Sequence, residues 1–223
     1  MEVTRMTSHQ SPLTFRFSLD KFINALAYFA AHGVHDLTKL KAVKLLYLAD
    51  RYHLFHYGRP VTGDRYIAME LGPVPEGGFQ LISRLIEPAE VDDEPRANAL
   101  ERLEVHRAFR RYPVLRAKGN PDLSVFSESE VEALASVVKE FGQARARDLV
   151  DLTHTHRAYL RADAGRSPGS STALPYEYFF EDAPDDVKAI SGFVSCEQED
   201  RDFADALQRA GRRALRAQTA ATR

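Results

Sequence analysis

The chain has 223 residues, 44% of them apolar and 28% charged, and its 30 lysines and arginines against 32 aspartates and glutamates leave a formal net charge of −2. That balance excludes a disordered, collagen-like or multispan membrane chain. It also argues against a protein that coats nucleic acid, which needs a strong cationic excess. One cysteine, Cys196, cannot close an intramolecular disulfide. The stretch Met1–Pro12 is polar and has no apolar core of the signal-peptide kind, and the apolar run Phe22–Ala31 is too short to span a bilayer. A cytoplasmic protein without a membrane segment is expected.

In chain order, residues 1–17 read as a flexible arm. Ser18 is placed to cap a helix in which Leu19, Phe22, Ile23, Leu26 and Phe29 recur at helical spacing, with Gly33 as its stop. Thr38 caps a longer helix to about Tyr57, ended by Gly58 and Pro60. The run Gly58–Asp64 is a turn, Arg65–Leu71 a short strand, and Gly72-Pro73-Val74-Pro75 a break, because proline cannot donate to a ladder. A third helix follows over Glu76–Ile86. Asp92–Asn98 reads as a charged loop, and Leu103–His106 and Tyr112–Leu115 as two weak strands. Ser127 and Glu130 fit a capping box for a helix to Gly142, and a further helix covers Arg145–His154. Gly165–Ser171 is linker-like. Leu174–Phe180 is aromatic and packs back on the core, and a last helix spans about Cys196–Leu215.

On a helical wheel the second helix puts Asp50 in the middle of the apolar arc formed by Val43, Leu46, Tyr47, Leu54 and Tyr57. Lys41, Lys44 and Arg51 fall on the other side among Leu45, Leu48 and Phe55. A carboxylate on a buried face is costly unless it is hydrogen-bonded or paired. Asp50 is therefore either a catalytic acid or base, or a structural hub that holds the Gly58–Arg65 turn through Arg65 or backbone N–H groups. We read it as the hub. Asp50, His53 and His56, three residues apart, could approach one metal ion and would make the chain a metal-dependent hydrolase, with His154 or His156 as further ligands. Metal motifs of real specificity carry more ligands at fixed spacing, so no metal and no cofactor is expected. Cys196 sits beside Glu197, whose charge raises a thiol pKa. The arginines Arg209, Arg212, Arg213, Arg216 and Arg223 lack the interleaved aromatics of a nucleic-acid stacking platform.

The blocks Lys44–Asp50, Tyr57–Ala68 and Leu71–Pro75, followed by the helix from Ser127 and Leu149–His154, resemble the Panacea domain of SocA-like antitoxins and of phage-associated GepA proteins. Tyr159 stands where the family pattern leads one to expect a tryptophan. The resemblance implies a predominantly helical α+β fold, bundle-like with a small antiparallel β element. It assigns residues 18–165 to the domain and 166–223 to a C-terminal extension that packs on or flanks it. It implies no catalytic residues. Lys44, Asp50, Gly58, Pro60, Thr62, Gly63, Asp64, Gly72, Pro73, Pro75, Thr153 and His154 become a structural signature. The function implied is a non-enzymatic antitoxin that neutralises a cognate protein toxin, as an occluding partner or as an adaptor for a ClpXP-type protease. The alternative within the same class is a phage- or prophage-borne inhibitor of another host protein. The acids Glu181, Asp182, Asp185 and Asp186 open an anionic stretch suited to a basic partner.

Overall fold

The computed structural model describes residues 13–87, 93–107 and 112–180. Among them the chain forms eight α-helices, α1 (Leu19–Ala31), α2 (Lys39–Tyr57), α3 (Glu76–Ile86), α4 (Glu94–Arg102), α5 (Glu128–Phe141), α6 (Ala146–His154), α7 (Arg157–Asp163) and α8 (Tyr176–Phe179). Five short strands accompany them: β1 (Tyr66–Met69), β2 (Gly72–Pro75), β3 (Leu103–His106), β4 (Val114–Ala117) and β5 (Thr172–Leu174). The fold is thus predominantly α-helical with small antiparallel sheets, as the sequence implied. One sheet has the order β2-β1-β5 and the other is the β3-β4 hairpin.

Local chemistry sets the helix starts. Ser18, Thr38 and Ser127 accept from the N–H three residues on, at Lys21, Lys41 and Glu130, and Ser127 with Glu130 forms the reciprocal capping box. Gly58 closes α2 in the left-handed region with its N–H on Leu54 O. The core gathers around α2, whose residues from Lys41 to Leu54 are all buried. Phe22, Leu26 and Phe29 of α1, Leu134 and Val137 of α5, and Leu81 and Ile82 of α3 enclose it. Each such side chain contributes about 2 kcal/mol through lost contact with water. The wheel leaves Lys41, Lys44 and Arg51 on a second face, but that face is buried too, because helices and sheet surround α2 on every side. Lys41 Nζ is satisfied there by His35 O at 2.6 Å and Gly142 O at 2.8 Å.

Three expectations need correction. Gly72–Pro75 is a strand, not a break: it pairs antiparallel with β1, Tyr66 opposite Pro75 and Met69 opposite Gly72. The prolines are tolerated because β2 is an edge strand and they take its outward-facing positions. Glu76 N–H donates to Arg65 O at 2.8 Å, which turns residues 72 and 74 toward β1 and residues 73 and 75 away from it. The expected charged loop at Asp92–Asn98 is largely helix α4, started by Asp93 accepting from Arg96 N–H, with Pro95 in its first turn. Helix α7 was not expected at all. Residues 13–17 form neither helix nor strand but pack on the domain, with Phe15 edge-on to Tyr176 and Phe17 edge-on to Phe22. Past Gly165–Ser171 the chain returns as β5, which pairs Tyr66 with Leu174, and α8 then buries Tyr176 and Phe179 against Tyr66. The helix expected over Cys196–Leu215 lies outside the described residues.

Candidate functional site

The residues singled out in the sequence converge on the α2 face that carries the Gly58–Asp64 turn and the β1–β2 hairpin. Asp50 is fully buried. Its Oδ1 accepts from Thr62 N–H at 2.7 Å, and its Oδ2 accepts from the Thr62 hydroxyl at 2.6 Å and the Tyr66 hydroxyl at 2.9 Å. Burial pushes its pKa up to about 6, against the opposing pull of those hydrogen bonds. Arg65, a suggested partner for it, is instead exposed and pairs with Glu76 at 3.0 Å. The second carboxylate of the turn, Asp64, accepts from Gly77 N–H at 3.1 Å and Gly78 N–H at 2.7 Å, so it satisfies the first turn of α3. The Tyr176 hydroxyl donates to Asp64 O at 2.6 Å, tying α8 to the same turn. Gly63 lies between these groups at φ +72°, and a Cβ there would stand 2.4 Å from Arg16 O.

Nearly two turns earlier on α2, Lys44 is fully buried and donates to Pro73 O at 2.8 Å, filling the outward-facing acceptor of β2. Burial lowers its pKa to about 7. Gly72 permits this approach: it sits at φ +98°, and a Cβ would lie 2.7 Å from Lys44 Nζ and 2.9 Å from Thr153 Oγ1. Thr153 is buried and donates to Val150 O, while His154 stacks on Tyr159 at 4.5 Å between ring centroids. The hydroxyl of Tyr159 reaches Met69 O at 3.0 Å, so a tyrosine ties α7 to β1 at the position where the family pattern suggests a tryptophan. Lys44, Asp50, Gly58, Pro60, Thr62, Gly63, Asp64, Gly72, Pro73, Pro75, Thr153 and His154 therefore lie on one connected framework of α2, its following turn, the hairpin and α6.

Asp50, His53 and His56 do not converge. Asp50 points to Thr62 and Tyr66. His53 has both ring nitrogens engaged, Nδ1 with Arg59 O at 2.6 Å and Nε2 with Ser129 Oγ at 3.0 Å. Burial lowers its pKa to about 4, so the ring is neutral near pH 7. His56 Nδ1 turns back to Tyr52 O at 2.8 Å. Among the described residues no group of three His, Cys, Asp or Glu side chains is placed to hold a metal ion. Glu181, Asp182, Asp185 and Asp186 lie outside the described residues, as do Cys196 and the tail arginines.

Sequence reasoning missed two further members. Glu130, read only as a capping residue, is fully buried and forms ion pairs with Lys21 at 2.7 Å and with Arg59. Burial works against its charge, but the hydrogen bonds from Lys21, Ser127 N–H and Arg59 hold its pKa below the ordinary carboxylate value. Tyr47 hydrogen-bonds to His156 Nδ1 at 3.1 Å, and burial holds His156 well below the ordinary imidazole range. These contacts cross 71 to 109 residues of chain, separations at which spacing carries no signal.

A family model described as antitoxin SocA-like, Panacea domain, matches residues 43–159, just over half of the chain. The match runs from α2 through the turn, strands β1 to β4 and α5 and α6 to the start of α7. No curated protein and no solved structure matches the chain.

Proposed function

Since the chain belongs to the SocA-like antitoxin family that carries the Panacea domain, we propose that it is a non-enzymatic antitoxin that binds and neutralises a cognate protein toxin. The family match over residues 43–159 carries this reading. The polar groups that could have suggested chemistry support it as well. Asp50, Asp64, Glu130 and His53 all spend their hydrogen-bonding capacity on the fold. The finer points of the proposal are a cytoplasmic site of action, recognition of a basic toxin surface through Glu181, Asp182, Asp185 and Asp186, and delivery of the bound toxin to a ClpXP-type protease. An anionic stretch of that kind speeds encounter with a basic partner and sets specificity more than it sets affinity.

Co-expression with the protein encoded by the adjoining reading frame tests the proposal. That protein alone should arrest growth, and the chain should restore it. Continued arrest with both proteins expressed would sink the antitoxin reading. Repeating the rescue in cells lacking the ClpX-type unfoldase separates the two modes: an adaptor loses its effect, an occluding partner keeps it. Charge reversal of the four acids should weaken rescue if they recognise the toxin.

A further inference from the structure

The strand edge of β4 opens on a groove at the far end of α2 from the Asp50 turn. The loop between α1 and α2 begins as a partner for β4: Leu115 N–H donates to Leu37 O at 2.9 Å, and Thr38 bridges Val114. The two then splay apart, because His35 N–H is drawn to Gly142 O at 3.0 Å at the end of α5. The gap between them is a cavity of about 670 Å³, with Gly33, Val34 and Leu37 on one side and Leu115 and Ala117 on the other. Gly33 faces open space, with nothing within 4 Å of where a Cβ would stand.

The parity of the β3–β4 ladder decides what this edge offers. Leu103 pairs with Ala117, and Lys118 N–H donates inward to Arg102 O at 2.9 Å. Residues 114, 116 and 118 therefore face β3, and residues 115 and 117 face the groove. Among the described residues, Leu115 C=O and both Ala117 N–H and Ala117 C=O have no hydrogen-bond partner. An unpaired edge of this kind is a template for another extended chain. The charge beside it has a sign. Arg116 and Lys118 are exposed and line the groove, the Lys118 ammonium also donating to Leu100 O at the end of α4; His35 is exposed beside them, and Asp36 is the one carboxylate among the lining residues, 3.5 Å from His35.

We propose that this groove is a docking site for an extended, acidic segment of the partner protein, which adds to the outer edge of β4 through Leu115 and Ala117 and sets its carboxylates against Arg116 and Lys118. The inference rests on the antitoxin reading and names the partner's surface within it. Main-chain bonds to Ala117 supply affinity, and the two cations favour an acidic segment over a neutral one.

The test uses the full chain and the purified toxin encoded by the adjoining reading frame, with binding followed by calorimetry and association rate by optical biosensor. Ala117→Pro removes the outward N–H and puts the ring into the groove without touching a bond to β3. It should weaken binding at least tenfold while leaving the unfolding midpoint unchanged. Arg116→Glu with Lys118→Glu, both on the surface, should slow association about fivefold at low salt, a difference that fades as salt is raised. If the parent binds and Ala117→Pro binds equally well, the site is refuted and the antitoxin reading stands. If Ala117→Pro unfolds, the double variant decides, and an unchanged association rate refutes the site. If Ala117→Pro leaves toxin affinity intact but exposes residues beyond Phe180 to protease, the occupant is the chain's own segment and the proposal falls. If the parent itself does not bind, the antitoxin reading is refuted.

Discussion

The two ends of α2 treat their polar groups in opposite ways. Around Asp50 and Lys44 each carboxylate oxygen of Asp50, the ammonium of Lys44 and the outward carbonyl of β2 have a partner inside the protein. Around Leu37 and Leu115 a strand pairing begins and is abandoned, which leaves backbone groups facing a cavity. A buried group without a partner costs about 1–3 kcal/mol, so a closed network defines a fold and resists change. An open edge beside solvent costs little and remains able to bind. The first kind of region holds the scaffold, and the second is where we propose that a partner attaches.

That contrast can be broken most violently from the C-terminal side. Ending the chain at Gly165 removes β5 and α8, strips β1 of one neighbour, and uncovers Tyr66 and Tyr47. The shortened protein should lose cooperative thermal unfolding altogether. A sharp transition near that of the parent would show that the sheet and Tyr176 are dispensable.

Asp50→Ala comes next. It leaves Thr62 and Tyr66 donors buried without an acceptor, and should cost about 3 kcal/mol in urea unfolding. An unchanged midpoint combined with lost function would make Asp50 a functional residue and not a hub. Gly72→Ala, strained at positive φ and pressed on Lys44 Nζ and Thr153, should cost about 2 kcal/mol. On the open side, Arg116→Ala should change stability by under about 0.5 kcal/mol, since surface substitutions rarely do more.

A gentler probe of the closed side is pH. The Asp50 pKa is raised from 3.8 to about 6 in the fold, so the folded state holds its proton more tightly than the unfolded state. Its contribution to stability is fully present below about pH 4 and is lost as pH rises through 6. Lys44 is lowered from 10.5 to about 7, so its contribution is present above about pH 10.5 and is lost as pH falls through 7. Asp50→Asn should flatten the acid part of the stability curve and Lys44→Met the alkaline part. Curves that keep the parental slope would show that neither group carries the linkage.

The sequence made local devices legible and long-range ones obscure. Ser18, Thr38 and Ser127 announced their helices because a cap depends on residues three apart. Asp50 was visible as a misfit on an apolar arc, and its anchoring to the following turn could be anticipated from the nearby N–H donors. Its partner Tyr66 could not, since a tyrosine in a strand is read as packing. The Gly72-Pro73-Val74-Pro75 segment was misjudged because proline's missing donor matters only where the N–H would face a neighbour, and the edge position is a property of the sheet. The partners of Lys41 and Lys44 were not legible, because nothing in α2 itself tells that Gly142 O and Pro73 O will arrive from elsewhere. Helix α4 was hidden by its charge: of its residues only Ala99 is buried, so hydrophobic periodicity was absent.

The central claim is that this chain acts by binding and not by catalysis. The most direct test is to titrate the purified full chain into a fixed amount of the purified cognate toxin and measure the toxin activity that remains. A stoichiometric binder removes activity linearly, reaching zero at a fixed molar ratio, and the activity returns when the complex is dissociated. Loss of activity at a small fraction of that ratio, progressing with time and surviving removal of the chain, would contradict the account and mark the protein as an enzyme.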